Sequence, residues 1–243
     1  AIASMVLALC SAGTHVVAQR QLYAGTLAFL QGPCARLGIE TTFVDVTTPG
    51  AFAAAVQPGR TMVVLAETPS NPRLELADLD LVLAELGGPA VLVGHSLGGY
   101  LALAHAATRP NVARGIVVLN TGPGFRDPEK REGWNDRSRR NAHRFGVPER
   151  VVDLNLQQDS VVMDRLAETT TPTLVLAGGA DRPEYTGSGQ YLERKMPDAR
   201  LVVLDGGGHS MHEDTHAIEV ATLVADFTAA LPDQRRRPWR IDS

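Results

Sequence analysis

A serine, an aspartate and a histidine in the later part of the chain have the residue types and the order that nucleophilic catalysis requires. Ser96, Asp181 and His209 each lie in a loop that follows a predicted strand. A serine hydroxyl becomes a nucleophile when a base accepts its proton, and a third group must orient the base. Because the carboxyl ends of parallel strands share one edge of a sheet, these loops can converge. We therefore predict that His209 is the base for Ser96 and that Asp181 orients its imidazole.

The surroundings of Ser96 predict a strand, a sharp turn and a helix. The apolar run 90–93 is typical of a strand, and 99–107 is predicted to be helical. Between them, residues 94–98 read GHSLG and fit the G-x-S-x-G pattern, in which a strained turn exposes the serine hydroxyl. We expect side chains at 94 and 98 to clash, and we expect the Leu97 N–H to form half of an oxyanion hole. A glycine-rich turn that only packs tightly is the alternative interpretation.

Other residues compete for the roles of acid and base. Asp205 precedes His209 closely and is a rival for Asp181. Two more distant rivals are Asp153 and Asp159. Asp181 is also a candidate for a purely structural turn residue, and His209 for an ordinary loop histidine. The order along the chain favours Asp181 and His209 over these alternatives.

Strands and helices alternate along the chain with short links. This pattern predicts an α/β fold, a doubly wound and mostly parallel sheet with helices on both faces. The run 61–66 is continuously apolar, so we expect this strand to be buried on both faces. The segment 121–170 interrupts the alternation with charged stretches and helices near 129–145 and 160–168, which is typical of a lid over a site. The end of the chain, 232–243, is predicted to be a flexible tail.

The composition is that of an ordinary globular protein. The chain has 243 residues, 44% of them hydrophobic and 21% charged, and its formal net charge is −4. This balance gives no reason to expect nucleic acid or an anionic membrane as a partner, and a small-molecule substrate is expected instead. Two cysteines without secretory context favour a cytoplasmic setting. No basic residue precedes the apolar opening, so we do not expect it to be a secretory signal. Because the chain begins with alanine, we expect a fragment or a processed product.

From about residue 76 to 231 the chain resembles the α/β-hydrolase superfamily. The resemblance lies in the motifs GHSLGG, GGADRP and GGGHS, which contain Ser96, Asp181 and His209. It implies cleavage of an ester, an amide or a related bond through an acyl-enzyme, with no metal and no organic cofactor. We expect the substrate to be a small uncharged ester or similar acyl compound, reached beneath the segment 121–170.

The first part of the chain resembles a different family. Residues 1 to about 78 are similar to the large domain of the pyridoxal-phosphate enzymes of cysteine and methionine metabolism, such as cystathionine γ-synthase, methionine γ-lyase and O-acetylhomoserine sulfhydrylase. The matching stretches are AIASMVLALCSAGTHVVAQRQLYAGT and TMVVLAETPSNPRLELADL. The resemblance implies that Tyr23 stacks on the cofactor ring and that Asn71 approaches its phenolic oxygen.

This second resemblance stops short of two residues that the cofactor chemistry needs. The family's pyridine-pairing aspartate and Schiff-base lysine come later, where this chain has become hydrolase-like. Lys130 and Lys195 are its only lysines, and neither sits in a matching motif. We therefore expect no bound cofactor, with Tyr23 and Asn71 as vestigial positions. The alternatives are a fragment of a pyridoxal-phosphate lyase or transferase whose lysine comes from a partner chain, and a fusion that catalyses nothing.

The two resemblances meet in the predicted helix 76–86. We expect 1–75 to form a βαβ segment on the same sheet as a hydrolase core at 76–231, with the strand 61–66 beside the strand 90–93. The hydrolase loop that supplies the second oxyanion N–H has no counterpart, so the donor must come from the loop after 61–66. The candidates are the backbone N–H groups of Thr68, Ser70 and Asn71.

One further pattern is that of a zinc site. Residues 212–216 read HEDTH, with His212 and His216 at the two ends. This fits the H-E-x-x-H pattern of the zinc-protease helix. No third ligand follows at a suitable spacing. We expect a polar helix start instead, with Glu213 and Asp214 stabilised by the helix dipole, and no metal.

Overall fold

The structure, a computed structural model, describes residues 2–70, 75–86, 90–110, 112–144, 152–153 and 156–232. The chain forms two compact units, the first made of residues 1–90 with 212–243 and the second of residues 91–211. These boundaries differ from the division at 75 and 76 that the sequence suggested. The predicted tail, apart from its first residue, and Asn71 lie outside the described residues.

The first unit contains a three-stranded parallel sheet in the order β2-β1-β3. Its strands are β1 His15–Gln19, β2 Glu40–Val44 and β3 Thr61–Leu65. Its helices are α1 Ile2–Leu9, α2 Ala24–Phe29, α3 Ala51–Ala55, α4 Leu79–Glu85 and α9 Ala217–Ala230. The last helix packs against the first, and the Ser4 hydroxyl donates to the His212 carbonyl at 2.5 Å.

One expectation for the first unit is wrong. The apolar strand β3 is not buried on both faces, since Met62 is 52% exposed. The fully buried strand is β1, because it alone has a hydrogen-bonded neighbour on each side in this sheet. The helix α2 continues into a π-helical segment at Leu30–Cys34, where Pro33 cannot donate a backbone hydrogen bond.

The second unit contains a four-stranded sheet in the order β4-β5-β6-β7, in which β5, β6 and β7 pair in parallel. Its strands are β4 Ala90–His95, which begins at the unit boundary, β5 Ala113–Leu119, β6 Thr173–Gly178 and β7 Ala199–Leu204. Its helices are α5 Leu97–Thr108, α6 Pro128–Arg144, α7 Val161–Arg165 and α8 Pro183–Lys195. Parallel sheets with helices on both faces confirm the predicted fold class. The expectation of one continuous sheet concerns the relation between the units and stays a prediction.

The segment predicted as a lid holds helices where they were expected. It contains α6, α7 and a 3-10 turn at Leu166–Glu168. Val162 of α7 and Leu166 of the turn join the core formed with α5, β5 and α8. The buried Asn135 on α6 anchors this helix, because its amide donates to the Gln157 carbonyl at 3.0 Å and accepts from the Gln157 N–H at 2.9 Å. No helix in the described part of the chain is long and apolar enough to cross a bilayer.

Candidate active site

Ser96 lies at a strained turn between β4 and α5. Its φ of 53° and ψ of −116° fall outside the regions that side chains normally adopt. Two hydrogen bonds hold this conformation. The Ser96 N–H donates to the Leu119 carbonyl at 2.9 Å, and the Thr121 hydroxyl donates to the Ser96 carbonyl at 2.7 Å. The end of β5 therefore fixes the backbone that presents the serine hydroxyl.

Glycines make the close approach at this turn possible. A Cβ at Gly94 would lie 2.2 Å from the Gly98 carbonyl oxygen, and a Cβ at Gly99 would lie 2.6 Å from Thr121 Cγ2. A Cβ at Gly98 would meet no heavy atom within 4 Å outside its own helix backbone. The expected clash is thus correct at 94 and wrong at 98, where the helix surface is open. The tight position on the helix is Gly99.

Leu97 is the first residue of α5, so its N–H is among the donors that a helix leaves without an intrahelical acceptor. This N–H lies beside the serine and at the positive end of the helix dipole. It is therefore suited to stabilise a negative oxygen on an atom bonded to Ser96.

His209 and Asp181 form a hydrogen-bonded pair. His209 Nδ1 lies 2.7 Å from Asp181 Oδ2, and the other carboxylate oxygen accepts from the Arg182 N–H at 2.7 Å. The Asp181 side chain is 5% exposed, whereas that of His209 is 38% exposed. Because a carboxylate only accepts hydrogen bonds, Nδ1 carries the proton and Nε2 keeps its lone pair. The pair thus presents a basic nitrogen on the more open side of the imidazole.

The structure brings together two of the three predicted side chains by a direct hydrogen bond. Within the described residues, His209 is bonded to Asp181 and not to the Ser96 hydroxyl. Asp205, the nearest rival acid, is exposed and makes no described bond to His209. Hydrogen bonds between a nucleophile and its base are often long without substrate and tighten when substrate binds.

The loop that carries His209 is held by a residue that sequence reasoning missed. Asn120 is buried and adopts a left-handed φ of 45° at the end of β5. Its amide donates to the carbonyls of Gly208 at 3.0 Å and His209 at 2.8 Å, and its oxygen accepts from the Gly178 N–H at 2.8 Å. One side chain therefore ties together the ends of three strands. The signal was an asparagine directly after a buried strand, since asparagine tolerates this backbone region.

Two aromatic rings flank the His209 imidazole. The rings of His95 and Tyr185 each have their centroids 4.8 Å from that of His209. His95 Nε2 also donates to the His209 carbonyl at 2.9 Å. His95 is the variable residue before the serine in the GHSLG motif, and the pattern gave no reason to assign it a role.

Ser96 opens into a cavity of about 620 Å³. The cavity is lined by the start of α5, by the chain after β5, by one face of α6 and by the start of α8. Tyr100 contributes from α5, and its pKa is raised by burial and by the negative charge of Asp159, so the phenol stays neutral near pH 7. The nucleophile position and a substrate-sized space therefore coincide within the second unit.

The first unit offers little for a second oxyanion donor. The Ser70 N–H, one of the predicted candidates, already donates to the Glu75 carbonyl at 2.9 Å. Asn71 lies outside the described residues, and Thr68 stays a prediction. Leu97 is thus the donor that the described residues place next to the serine.

The histidines of the HEDTH pattern do not lie on a helix. Residues 209–216 form turns, and α9 begins only at Ala217. Glu213 and Asp214 therefore precede the first helical turn, and the expectation that they stabilise it is wrong; the acidic residue there is Glu219. In the part of the chain that the structure describes, no three or more His, Cys, Asp and Glu side chains group as metal ligands.

The first unit does not fit pyridoxal phosphate. Residues 1–90 contain no lysine, which the cofactor needs for its Schiff base. Tyr23, expected to stack on the ring, is 57% exposed, and its N–H donates to Glu67 Oε2 at 3.0 Å. The chemistry of this segment alone therefore cannot hold the cofactor covalently.

Comparisons with known proteins confirm both resemblances. Residues 1–90 match the family of Cys/Met metabolism PLP-dependent enzymes. The methionine γ-lyase of Arabidopsis thaliana is 49% identical over 80 residues, which are 32% of this chain and 18% of that protein. The L-methionine γ-lyase of Treponema denticola is 39% identical over 82 residues, or 34% of this chain and 20% of that protein. The chain thus spans about a fifth of the length of these relatives.

Most of the chain superposes on solved structures that include α/β hydrolases. Rv0554 from Mycobacterium tuberculosis superposes with a TM-score of 0.54 and 17% identity, covering 92% of each chain. The α/β hydrolase MGS-M2 from a deep-sea metagenome superposes with a TM-score of 0.52 and 15% identity, covering 90% of each chain. An α/β-hydrolase-like fold therefore coexists with a segment homologous to pyridoxal-phosphate lyases.

Proposed function

We propose that this protein is a serine hydrolase of the α/β-hydrolase type, which cleaves a small ester or related acyl compound through an acyl-enzyme. The observation that carries the proposal is the strained Ser96 turn opening into a cavity, in the same compact unit as the hydrogen-bonded pair of His209 and Asp181. Such strain is retained where function requires it, since it costs about 1–3 kcal/mol.

The reaction proceeds in two halves. His209 Nε2 accepts the hydroxyl proton while Ser96 Oγ attacks the substrate carbonyl carbon, and the Leu97 N–H stabilises the oxyanion. The carbon–oxygen bond to the alcohol breaks, and His209 returns the proton to the leaving alcohol. Water then attacks the acyl-enzyme by the same route, which releases the acid and regenerates Ser96. Asp181 stabilises the imidazolium in both halves.

The proposed oxyanion hole has one identified donor. Loss of one such donor lowers turnover on the order of 100- to 1,000-fold. We therefore expect a slow hydrolase that is easier to detect by covalent labelling than by turnover.

A fluorophosphonate probe tests the proposal, because it phosphonylates only an activated serine. We expect labelling of the wild type and none of Ser96→Ala. Ser188, which also lines the cavity, provides the matched control, and Ser188→Ala should label like the wild type. Equal labelling of Ser96→Ala and wild type, or no labelling of a folded wild type, would reject the proposal.

Two other readings make different predictions. A pyridoxal-phosphate enzyme completed by a partner's lysine would show the cofactor's visible absorbance with the partner present. An inactive fusion would melt cooperatively and give neither signal. A cytoplasmic setting without nucleic-acid or membrane partners remains part of the proposal, and the buried, unbridged Cys10 and Cys34 support it.

A further inference from the structure

One face of the lid helix α6 lines the cavity. The residues that reach the cavity recur every three or four positions, which is the spacing of a single helical face. They are Lys130, Gly133, Trp134, Arg137, Ser138 and Asn141. This face carries two cations, one aromatic ring and no acidic residue.

Two acidic residues of α6, Glu132 and Asp136, lie off this face and pair with a cation. Arg139 Nη1 lies 2.6 Å from Glu132 Oε1 and 2.8 Å from Asp136 Oδ1. The hydrogen bond from Arg139 holds the pKa of Glu132 below its ordinary value. At the neighbouring α7, Arg126 Nε lies 2.7 Å from Asp164 Oδ1. Arg139 and Arg126, which do not line the cavity, thus have close carboxylate partners.

The cations that line the cavity have fewer and more distant carboxylate partners. Arg137 Nη1 lies 3.9 Å from Glu184 Oε1, and both side chains are more than half exposed. Lys130 on α6 and Arg182 just before α8 also line the cavity, and they form no ion pair among the residues the structure describes. The lining therefore has three cations against one carboxylate, although the whole chain has a net charge of −4.

The remainder of the lining is largely apolar and lies next to the nucleophile. Leu101, Phe125, Trp134 and Leu156 supply apolar surface in the same cavity as Ser96 and the cations. A ligand that fits this pattern has an apolar stem and a negatively charged end. Long-range attraction by clustered cations also raises the rate at which such ligands enter.

We propose that the substrate carries an anionic group, a carboxylate or a phosphate, which Lys130, Arg137 and Arg182 bind while the acyl carbon lies at Ser96. This inference rests on the proposed hydrolase function and replaces the sequence expectation of an uncharged ester. Hydrolysis gives the product acid a second negative charge. The same cations should therefore slow its release from the cavity.

Two esters of similar size test the charge preference. Mono-p-nitrophenyl glutarate carries a carboxylate at the end of its acyl chain, and p-nitrophenyl valerate carries a methyl group there. We expect the wild type to have a kcat/KM about tenfold higher for the glutarate at low salt, and we expect 0.5 M NaCl to reduce this ratio. A ratio near or below one would overturn the inference.

Charge-removing variants locate the effect. Lys130→Gln and Arg182→Gln should each lower the ratio about three- to tenfold, because KM rises for the glutarate more than for the valerate. Lys195→Gln, on α8 outside the cavity, removes the same charge and should leave the ratio unchanged. Equal effects of Lys195→Gln and Lys130→Gln would indicate general attraction and reject a binding site.

A binding measurement separates this inference from the proposed function. In Ser96→Ala, Trp134 fluorescence should be quenched by mono-p-nitrophenyl glutarate at about tenfold lower concentration than by the valerate, and Lys130→Gln should remove the difference. Such binding without turnover in the wild type would refute only the hydrolase, whereas turnover without charge preference would refute only the anion site.

Displacement of the bound glutarate ester by pentanoate or by butyl phosphate identifies the preferred anion. Displacement by neither anion, or no binding of the ester at all, would reject the site.

Discussion

The two compact units differ in how closely they resemble known proteins and in how much chemistry they retain. The first unit contains the segment that is 49% identical to a methionine γ-lyase, yet that segment has no lysine for the cofactor. Solved structures with an α/β-hydrolase-like fold match 90–92% of the chain at only 15–17% identity, yet the second unit contains the serine turn, the acid–base pair and the cavity. High similarity over a short stretch is therefore a poorer guide to activity than the completeness of a site.

The difference has a physical origin in how each site is distributed along the chain. A pyridoxal-phosphate site needs residues that the family places well beyond the matched segment. A chain whose resemblance to the family ends with that segment therefore lacks them. The second site draws Ser96, Asp181 and His209 from loops within residues 91–211, so one continuous stretch carries the candidate triad. Substitutions in each unit test this contrast.

The largest expected effect follows from the acid–base pair of the second unit. Asp181→Asn should lower kcat on the order of 10³- to 10⁴-fold, because an asparagine cannot fix the tautomer of His209 or stabilise its charge. Ester turnover measures this. Asp205→Asn is the matched control and should change turnover less than about twofold, as should Tyr23→Phe in the first unit. Similar losses in Asp181→Asn and Asp205→Asn would contradict the assignment of the acid.

A pair of glycine substitutions tests the turn itself. Gly94→Ala should lower the free energy of unfolding by about 2–4 kcal/mol, because its Cβ would overlap the Gly98 carbonyl. Gly98→Ala should change it by less than about 1 kcal/mol, in the stabilising direction, because alanine favours the helix and meets no obstacle. Urea unfolding measures both. Comparable destabilisation by the two variants would show that the turn is packed differently.

Removal of the Asn120 side chain should have a moderate effect. Asn120→Ala should lower the free energy of unfolding by about 1–3 kcal/mol, since it leaves a buried N–H and two carbonyls without this partner. Because the His209 loop loses its anchor, we expect kcat to fall more than KM changes.

Asn120→Asp separates anchoring from packing. The aspartate keeps the acceptor for Gly178 and loses both donors, so it should be as poorly active as the alanine variant. Full activity in Asn120→Asp would show that Asn120 does not position His209.

The smallest effect concerns a buried histidine of the first unit. Burial, aided by the positive charge of Arg60, holds the pKa of His15 below its ordinary value. The unfolded chain therefore binds the proton more readily, and stability should fall as the pH drops below about 6.5. Urea midpoints at pH 7.5 and 5.5 should differ more for the wild type than for His15→Gln. An identical difference in both would assign the pH dependence to other groups.

Much of the fold could be predicted because the periodicity of the apolar residues agrees with the positions of the turn residues between elements. The helices expected near 129–145 and 160–168 lie close to α6 and to α7 with its 3-10 turn, and the alternation of strands and helices was sufficient for the fold class. The burial of β1 rather than β3 could not be predicted, because both are apolar and the order of strands in the sheet decides which lies in the middle.

For the candidate site, only the residues that lie in recognisable sequence motifs could be predicted. Asp181 could be paired with His209 from the order of motifs, and the structure gives that hydrogen bond. Asn120 and His95 could not be found, because their roles depend on which loops meet in space. The cationic face of α6 could not be predicted, because only the cavity shows which side of this charged helix lines the site.

The first unit is assembled from segments that lie far apart in the sequence, since α1 packs against α9. On the ribosome, α1 emerges long before α9 is translated, with a delay on the order of ten seconds at ordinary elongation speeds. During that interval residues 91–211 can already fold, while α1 waits with an uncovered apolar surface. Chaperone demand should therefore concentrate on the segment around α1.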